Sequence, residues 1–164
     1  MKIVPATEKD IPEIQKIAYQ SWQENYAGII VQEQIDYMLG LMYSSAEIQS
    51  QFNNENYLYY FIENDVEKRI GIMGFEKNAV PNSTKLHRLY LLESEKGKGL
   101  GKLAIQFLKK WTNENSNSRI ILNVNKNNPA KEFYLNLGFK IYDEGIFDIG
   151  NGFVMDDYLM EYQI

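Results

Sequence analysis

Cysteine is absent from the 164 residues, and histidine occurs once, at His87. The first absence excludes disulfides, thiolate metal sites and a cysteine acyl-enzyme route. The second excludes a multi-histidine metal centre, so no metal is expected. Long apolar runs are also missing. The longest, Tyr57–Ile62, is about six residues, against the roughly 20 that a membrane helix needs. The opening MKIVPATEKD carries no apolar stretch of a secretory signal, so the expected location is the cytoplasm, with no membrane partner. Basic excess is lacking too. The net charge of −5 does not favour a nucleic-acid partner and suits a cationic one.

What is present describes an ordinary folded domain. Apolar residues make up 45% and charged residues 24%, with twelve tyrosines, eight phenylalanines and two tryptophans. No repeat, linker or low-complexity block interrupts residues 1–164, which read as one domain. KIVPA predicts a first strand, and Thr7 with Asp10 predicts a capping box for a helix carrying Ile11, Ile14, Ile17, Ala18 and Trp22. VQEQIDYMLGLMYS predicts a second helix, continued after a break over residues 45–53. NYLYYFIEN, RIGIMGFEK and TKLHRLYLL predict three strands, the first two forming a hairpin. A helix to about Asn115 follows, then the strand RIILNV, the helix NPAKEFYLNLG and two closing strands around GNG. The expectation is a mixed α/β (α+β) fold. One twisted, mostly antiparallel sheet of about seven strands is flanked by about four helices.

The stretch ESEKGKGLGKLAIQF is unusual. Leu100, Leu103, Ala104, Phe107, Leu108 and Trp111 form a helical apolar stripe, so Gly97, Gly99 and Gly101 straddle a strand-to-helix turn. A helix start leaves backbone N–H groups unpaired at the positive end of the dipole. Glycine lets a bulky anion reach them, and Lys96, Lys98 and Lys102 add charge. From the glycines alone, a pyrophosphate cradle and a flexible loop with solvated lysines stand level. The spacing fits neither the dinucleotide fingerprint nor the nucleoside-triphosphate loop.

KGKGLG, Lys96 to Gly101, resembles the acyl-CoA loop of the GNAT superfamily of N-acetyltransferases: Gln or Arg, two residues, Gly, any residue, Gly or Ala. Lys96 departs from the usual first residue; Gly99 and Gly101 match. Asn127, Ala130, Tyr134, Gly138 and Phe139 in NNPAKEFYLNLGF resemble the family's second motif. The element order is similar over nearly the whole chain, and YAGIIVQEQIDYMLGLMYS and GNGFVMDDYLME resemble a bacterial branch that includes polyamine acetyltransferases.

The resemblance implies acetyl-CoA as co-substrate and a primary amine as acceptor, a polyamine first and a peptide amine second. It implies diphosphate binding by Lys96 through Lys102, Leu100 included. Pantetheine would pair with the backbone of Leu89, Tyr90 and Leu91, with Asn127 and Ala130 also at the coenzyme. Tyr134 would act as general acid, although Ala130, Phe133, Tyr134 and Leu137 also make an ordinary apolar helix face. Trp22 and Tyr26 would line the acceptor pocket, or be core. An amine near pKa 10.4 is neutral in only about one molecule in a few thousand at pH 7, so a base is needed. Some members use a Glu on the strand before the loop; Lys85 stands there. His87, two residues on, is the candidate base, with a water relay to a carboxylate as the alternative. Asp156 and Asp157 would attract a cationic amine, or be a solvated pair. Exposed late strands in such folds pair chains, which would make a homodimer. A non-catalytic acyl-CoA sensor stays open, because the strand Glu is absent while Tyr134 is present.

Overall fold

The polypeptide runs through fourteen elements in a computed structural model that describes residues 1–164. The strands are β1 (Lys2–Pro5), β2 (Tyr57–Glu63), β3 (Arg69–Val80), β4 (Ser83–Leu91), β5 (Arg119–Asn125), β6 (Lys140–Gly150) and β7 (Phe153–Gln163). The main helices are α1 (Ile11–Tyr26), α2 (Gln32–Met42), α3 (Ser45–Phe52), α4 (Leu100–Glu114) and α5 (Ala130–Asn136), with single turns at Glu8–Asp10 and Glu93–Glu95. All seven strands join one sheet in the order β1-β2-β3-β4-β5-β7-β6. Every neighbouring pair is antiparallel except β4 with β5. That exception follows from the crossover through α4, which returns the chain in the same direction. No helix is long and apolar enough to cross a membrane.

Alternation along the strands builds two cores. Tyr57, Tyr59, Phe61 and Ile72 pack with α1, α2 and α3 on one face. Ile62, Met73, Phe75 and Leu86 pack with α4 and α5 on the other. The capping box is present at the start of the α1 region: the Asp10 carboxylate accepts from the Thr7 amide and hydroxyl at 2.8 Å each.

Two details differ from the sequence expectation. The helices number five, because Tyr43 leaves helical backbone and the Ser44 hydroxyl caps a new helix by accepting from the Glu47 amide. On α4 the buried line is Leu100, Ala104, Leu108 and Thr112, with Ile105 on its flank. Leu103 is 43% exposed while Ile105 is 1% exposed. The face that meets the sheet is therefore rotated about one residue from the stripe that includes Leu103.

Candidate active site

Strands β4 and β5 pair only from Ser83↔Arg119 to Leu86↔Leu122. Beyond that point β4 stays bonded to β3 on one side, through Met73↔Leu89, Ile72↔Tyr90 and Gly71↔Leu91. β5 stays bonded to β7, through Asn123↔Leu159 to Asn125↔Asp157. Each strand thus turns an unpaired edge toward the other. The cause sits at His87: Leu86 faces Phe75 and Arg88 faces Gly74, so His87 is an extra residue in β4. A bulge bends its strand and strengthens local twist, and here it follows directly on the last β4–β5 pair. The resulting cleft encloses about 740 Å³. Its walls include His87, Leu89, Tyr90 and Leu91 of β4, Asn123 and Val124 of β5, Tyr26 of α1, and Ala130, Phe133 and Tyr134 of α5.

The glycine loop closes one end. Gly97, Gly99, Leu100, Gly101, Lys96 and Lys102 line the cleft. Gly97 and Gly99 adopt φ of 76° and 77°, the left-handed region, and a Cβ at either would stand in open space. Gly101 serves packing instead, since a Cβ there would lie 3.1 Å from Phe133 Cζ. The amides of residues 97 through 102 donate to no protein acceptor, and the first α4 bond from this region is Leu103 N–H to Gly99 O. Six successive N–H groups are therefore left without a protein partner at a helix start, and five of the six residues line the cavity; such a start suits an anion. Lys96 pairs with Glu93 at 2.5 Å and also reaches Asn25. Lys98 pairs with Glu95 at 2.9 Å and does not line the cleft.

Tyr134 lies on the cleft wall, 9% exposed, held edge-on between Phe133 and Phe139. Burial pushes its phenol well above the ordinary tyrosine value, so it stays protonated and able to donate. His87 stacks on Tyr57, and its Nε2 lies 3.1 Å from Glu76 Oε2. Burial, with Lys85 nearby, lowers its pKa below 6.5, so it is neutral at pH 7. A ring donating from Nε2 to Glu76 presents a lone pair at Nδ1.

Other expected residues are arranged differently. Trp22 is 2% exposed and stacks behind Tyr26 at 4.4 Å; it does not reach the cleft, whereas Tyr26 does. Its apolar ring is part of the α1 core. Asn127 is exposed and outside the cleft; Asn128 takes the wall position and accepts the Ala130 amide at 2.9 Å. Asp156 and Asp157 do not act as a pair, because successive strand residues face opposite sides of the sheet. Asp156 binds Lys126 at 2.8 Å. Asp157 is 7% exposed with Oδ1 unpartnered, and burial raises its pKa. Asn128, Phe133 and Asn123 carry no local signature that marks them as cleft residues; the second motif passes within one residue of Asn128.

Residues 13–139 match the acetyltransferase (GNAT) family. The chain belongs to that family. An uncharacterized N-acetyltransferase in the pepI 3′ region of Lactobacillus delbrueckii subsp. lactis is 27% identical over 161 residues, covering 92% of this chain and 91% of that protein. The PaiA N-acetyltransferase of Thermoplasma acidophilum, crystallised with coenzyme A, superposes with a TM-score of 0.82 at 24% identity over 100% of both chains. Mutant forms of the spermidine/spermine N-acetyltransferase SpeG of Vibrio cholerae give a TM-score of 0.69 at 18% identity, covering 99% of this chain and 93% of theirs. The GNAT fold is thus established, and this GNAT protein is an N-acetyltransferase.

Proposed function

We propose that this GNAT enzyme moves an acetyl group from acetyl-CoA to a primary amine by direct attack, with both bound in the cleft at once. The observation that carries the reading is the row of six unclaimed amides at residues 97–102, opening onto the unpaired edges of β4 and β5. Those amides, with Lys96 and Lys102, hold the diphosphate. The β4 edge at Leu89, Tyr90 and Leu91 takes the pantetheine arm and offers a donor to the thioester oxygen. Ala130, small and on the wall, leaves the arm room beside α5. Acetyl-CoA supplies the activated acyl group. The protein aims it and moves protons. His87 takes the proton that the amine must lose, oriented by Glu76. The Tyr134 hydroxyl gives a proton to the departing sulfur.

A polyamine is the first acceptor to test; its support is the likeness to spermidine/spermine N-acetyltransferase. A peptide amine is the second. One sheet that runs from Lys2 to Gln163 supports reading residues 1–164 as one domain. The outer edge of β6, which has no neighbour, supports pairing of two copies. The test is thiol release from acetyl-CoA across polyamines, amino acids and peptides, followed by Tyr134→Phe in the best assay. We expect kcat to fall about 100-fold or more, the lower end of what a positioned acid supplies. An unchanged rate removes Tyr134 from the mechanism. Coenzyme binding without turnover on any amine makes the protein an acyl-CoA sensor instead.

A further inference from the structure

A neutral imidazole carries one N–H, and His87 can take a proton at Nδ1 only while that hydrogen stays on Nε2. Glu76 is the group that keeps it there, so what keeps Glu76 in place matters. Glu76 lines a second cavity of about 540 Å³ and does not line the cleft, whereas His87 lines both. The Glu76 side chain is 26% exposed, so the carboxylate has room to swing away from the ring. A glutamate left free samples many rotamers.

The end of α3 supplies the holder. Asn54 Nδ2 donates to Glu76 Oε1 at 3.0 Å, and Glu76 Oε2 lies 3.1 Å from His87 Nε2. Asn54 is itself fixed. Its N–H donates to the Gln51 carbonyl at 3.1 Å, and its Oδ1 accepts the Asn56 amide at 3.0 Å. That second bond decides the amide's orientation, so the donor and not the oxygen meets the carboxylate. The ring plane is held from the same helix. His87 stacks on Tyr57, with centroids 5.0 Å apart. The Tyr57 hydroxyl accepts from Arg88 Nη1 at 3.0 Å, and the same nitrogen donates to Gln51 Oε1 at 2.6 Å. Arg88 Nη2 donates to the Met42 carbonyl at 2.8 Å, which ties α2 into the frame. The bulge lets His87 and Arg88, neighbours in sequence, both meet Tyr57.

We infer that Asn54 is a positioning residue for the base: by holding Glu76 it keeps the imidazole hydrogen on Nε2 and leaves Nδ1 bare for the amine's proton. Arg88, through Tyr57, fixes the plane of the same ring. This rests on His87 as base in the N-acetyltransferase reading above. The charged and titratable groups around the ring are Glu76 on β3, Tyr57 on β2, Lys85 and Arg88 on β4, and Glu47 of α3 on the same cavity. Burial and Lys85 favour the neutral ring, while the bond to Glu76 favours the charged one.

His87 is the only histidine, so a single imidazole labelled with nitrogen-15 reports the effect by NMR. Above its titration, wild type should show one tautomer, with the hydrogen on Nε2. Asn54→Ala should show nitrogen shifts averaged over two tautomers. Its imidazole pKa should fall, because a bond that favours the charged ring has loosened. In the amine assay kcat should drop about tenfold, with KM for both substrates within about threefold of wild type. The acid limb of kcat/KM should move to lower pH with the imidazole. Asn54→Ser keeps an oxygen for the Asn56 amide but is too short to reach Glu76; it should match the alanine variant and replaces it if that one does not fold. In a Glu76→Gln background, Asn54→Ala should cost less than about twofold more, because it acts through Glu76. One tautomer and an unmoved acid limb in the Asn54 variants, or losses that multiply in the double variant, overturn the inference, and the transferase reading then survives. Absence of turnover on every amine, with coenzyme still bound, defeats both.

Discussion

Two helices begin beside the same cleft, and they treat their first amides in opposite ways. At α5, Asn125 Oδ1 accepts the Asn127 amide at 3.0 Å and Asn125 O the Asn128 amide at 2.9 Å. Asn128 Oδ1 accepts Ala130 and Asn128 O accepts Lys131, while Pro129 has no N–H to place. At α4 nothing in the protein accepts from residues 97 through 102. Asparagine brings its own acceptor to a helix start; glycine brings none. Open amides are therefore not a general consequence of entering a helix from this sheet. Of the two starts beside the cleft, they mark the one whose sequence withholds internal acceptors, and such a start is suited to an external one.

The sharpest way to break this contrast is to add a side chain where α4 has none. Gly99→Val places a β-branched residue at φ 77° and a Cβ in the open space before the amides. Coenzyme A affinity measured by calorimetry should fall about thirtyfold or more, roughly 2 kcal/mol. The same substitution should also lower Tm, since a left-handed non-glycine residue costs about 1–2 kcal/mol. Unaltered affinity would mean the diphosphate binds elsewhere. At α5 the pattern should reverse. Asn128→Ala removes a cap and should cost about 1 kcal/mol in urea unfolding. Its coenzyme affinity should stay within about threefold of wild type. Equal binding losses in both variants would erase the distinction between the two starts.

How much of this was visible in the sequence depends on how local each feature is. The glycine loop and the Tyr134 helix are each contiguous, so the resemblance to a family motif could be recognised within one short stretch. Spacing alone left a solvated loop and a plain apolar helix face open. The strand succession was likewise legible, because alternation and turn residues are short-range signals. The bulge was not. It exists because Gly74 and Phe75 on β3 face Arg88 and Leu86 on β4, skipping His87, and nothing inside β4 reveals that. Arg88 was overlooked for the same reason: its partners stand 31, 37 and 46 residues away on β2, α3 and α2. Asn127 and Asn128 show a finer limit. Two adjacent asparagines before a proline are chemically alike, and only the turn geometry decides which faces the cleft. Trp22 and Tyr26 differ in one respect that the 3.6 period blurs: both pack toward the core side of α1, but of the two only Tyr26, in the last turn, reaches the opening.

The smallest expected effect tests the charges around α4 rather than its amides. Glu95, 14% exposed at its side chain, holds Lys98 at 2.9 Å, and Glu93 holds Lys96. Two carboxylates thus stand against the lysines at the mouth of a site for a highly negative ligand. Glu95→Gln removes one of them and frees Lys98. A surface pair of this kind, with its lysine open to solvent, is worth about 0.2–1 kcal/mol, so coenzyme A should bind about two- to threefold more tightly at low salt. The gain should vanish near 1 M salt, where the screening length is about 3 Å. Calorimetry at the two ionic strengths reads both statements. Weaker binding in Glu95→Gln would show that Glu95 positions Lys98 for the diphosphate. The ion pair would then join the amides as part of the cradle, and the contrast between α4 and α5 would extend from backbone to side chains.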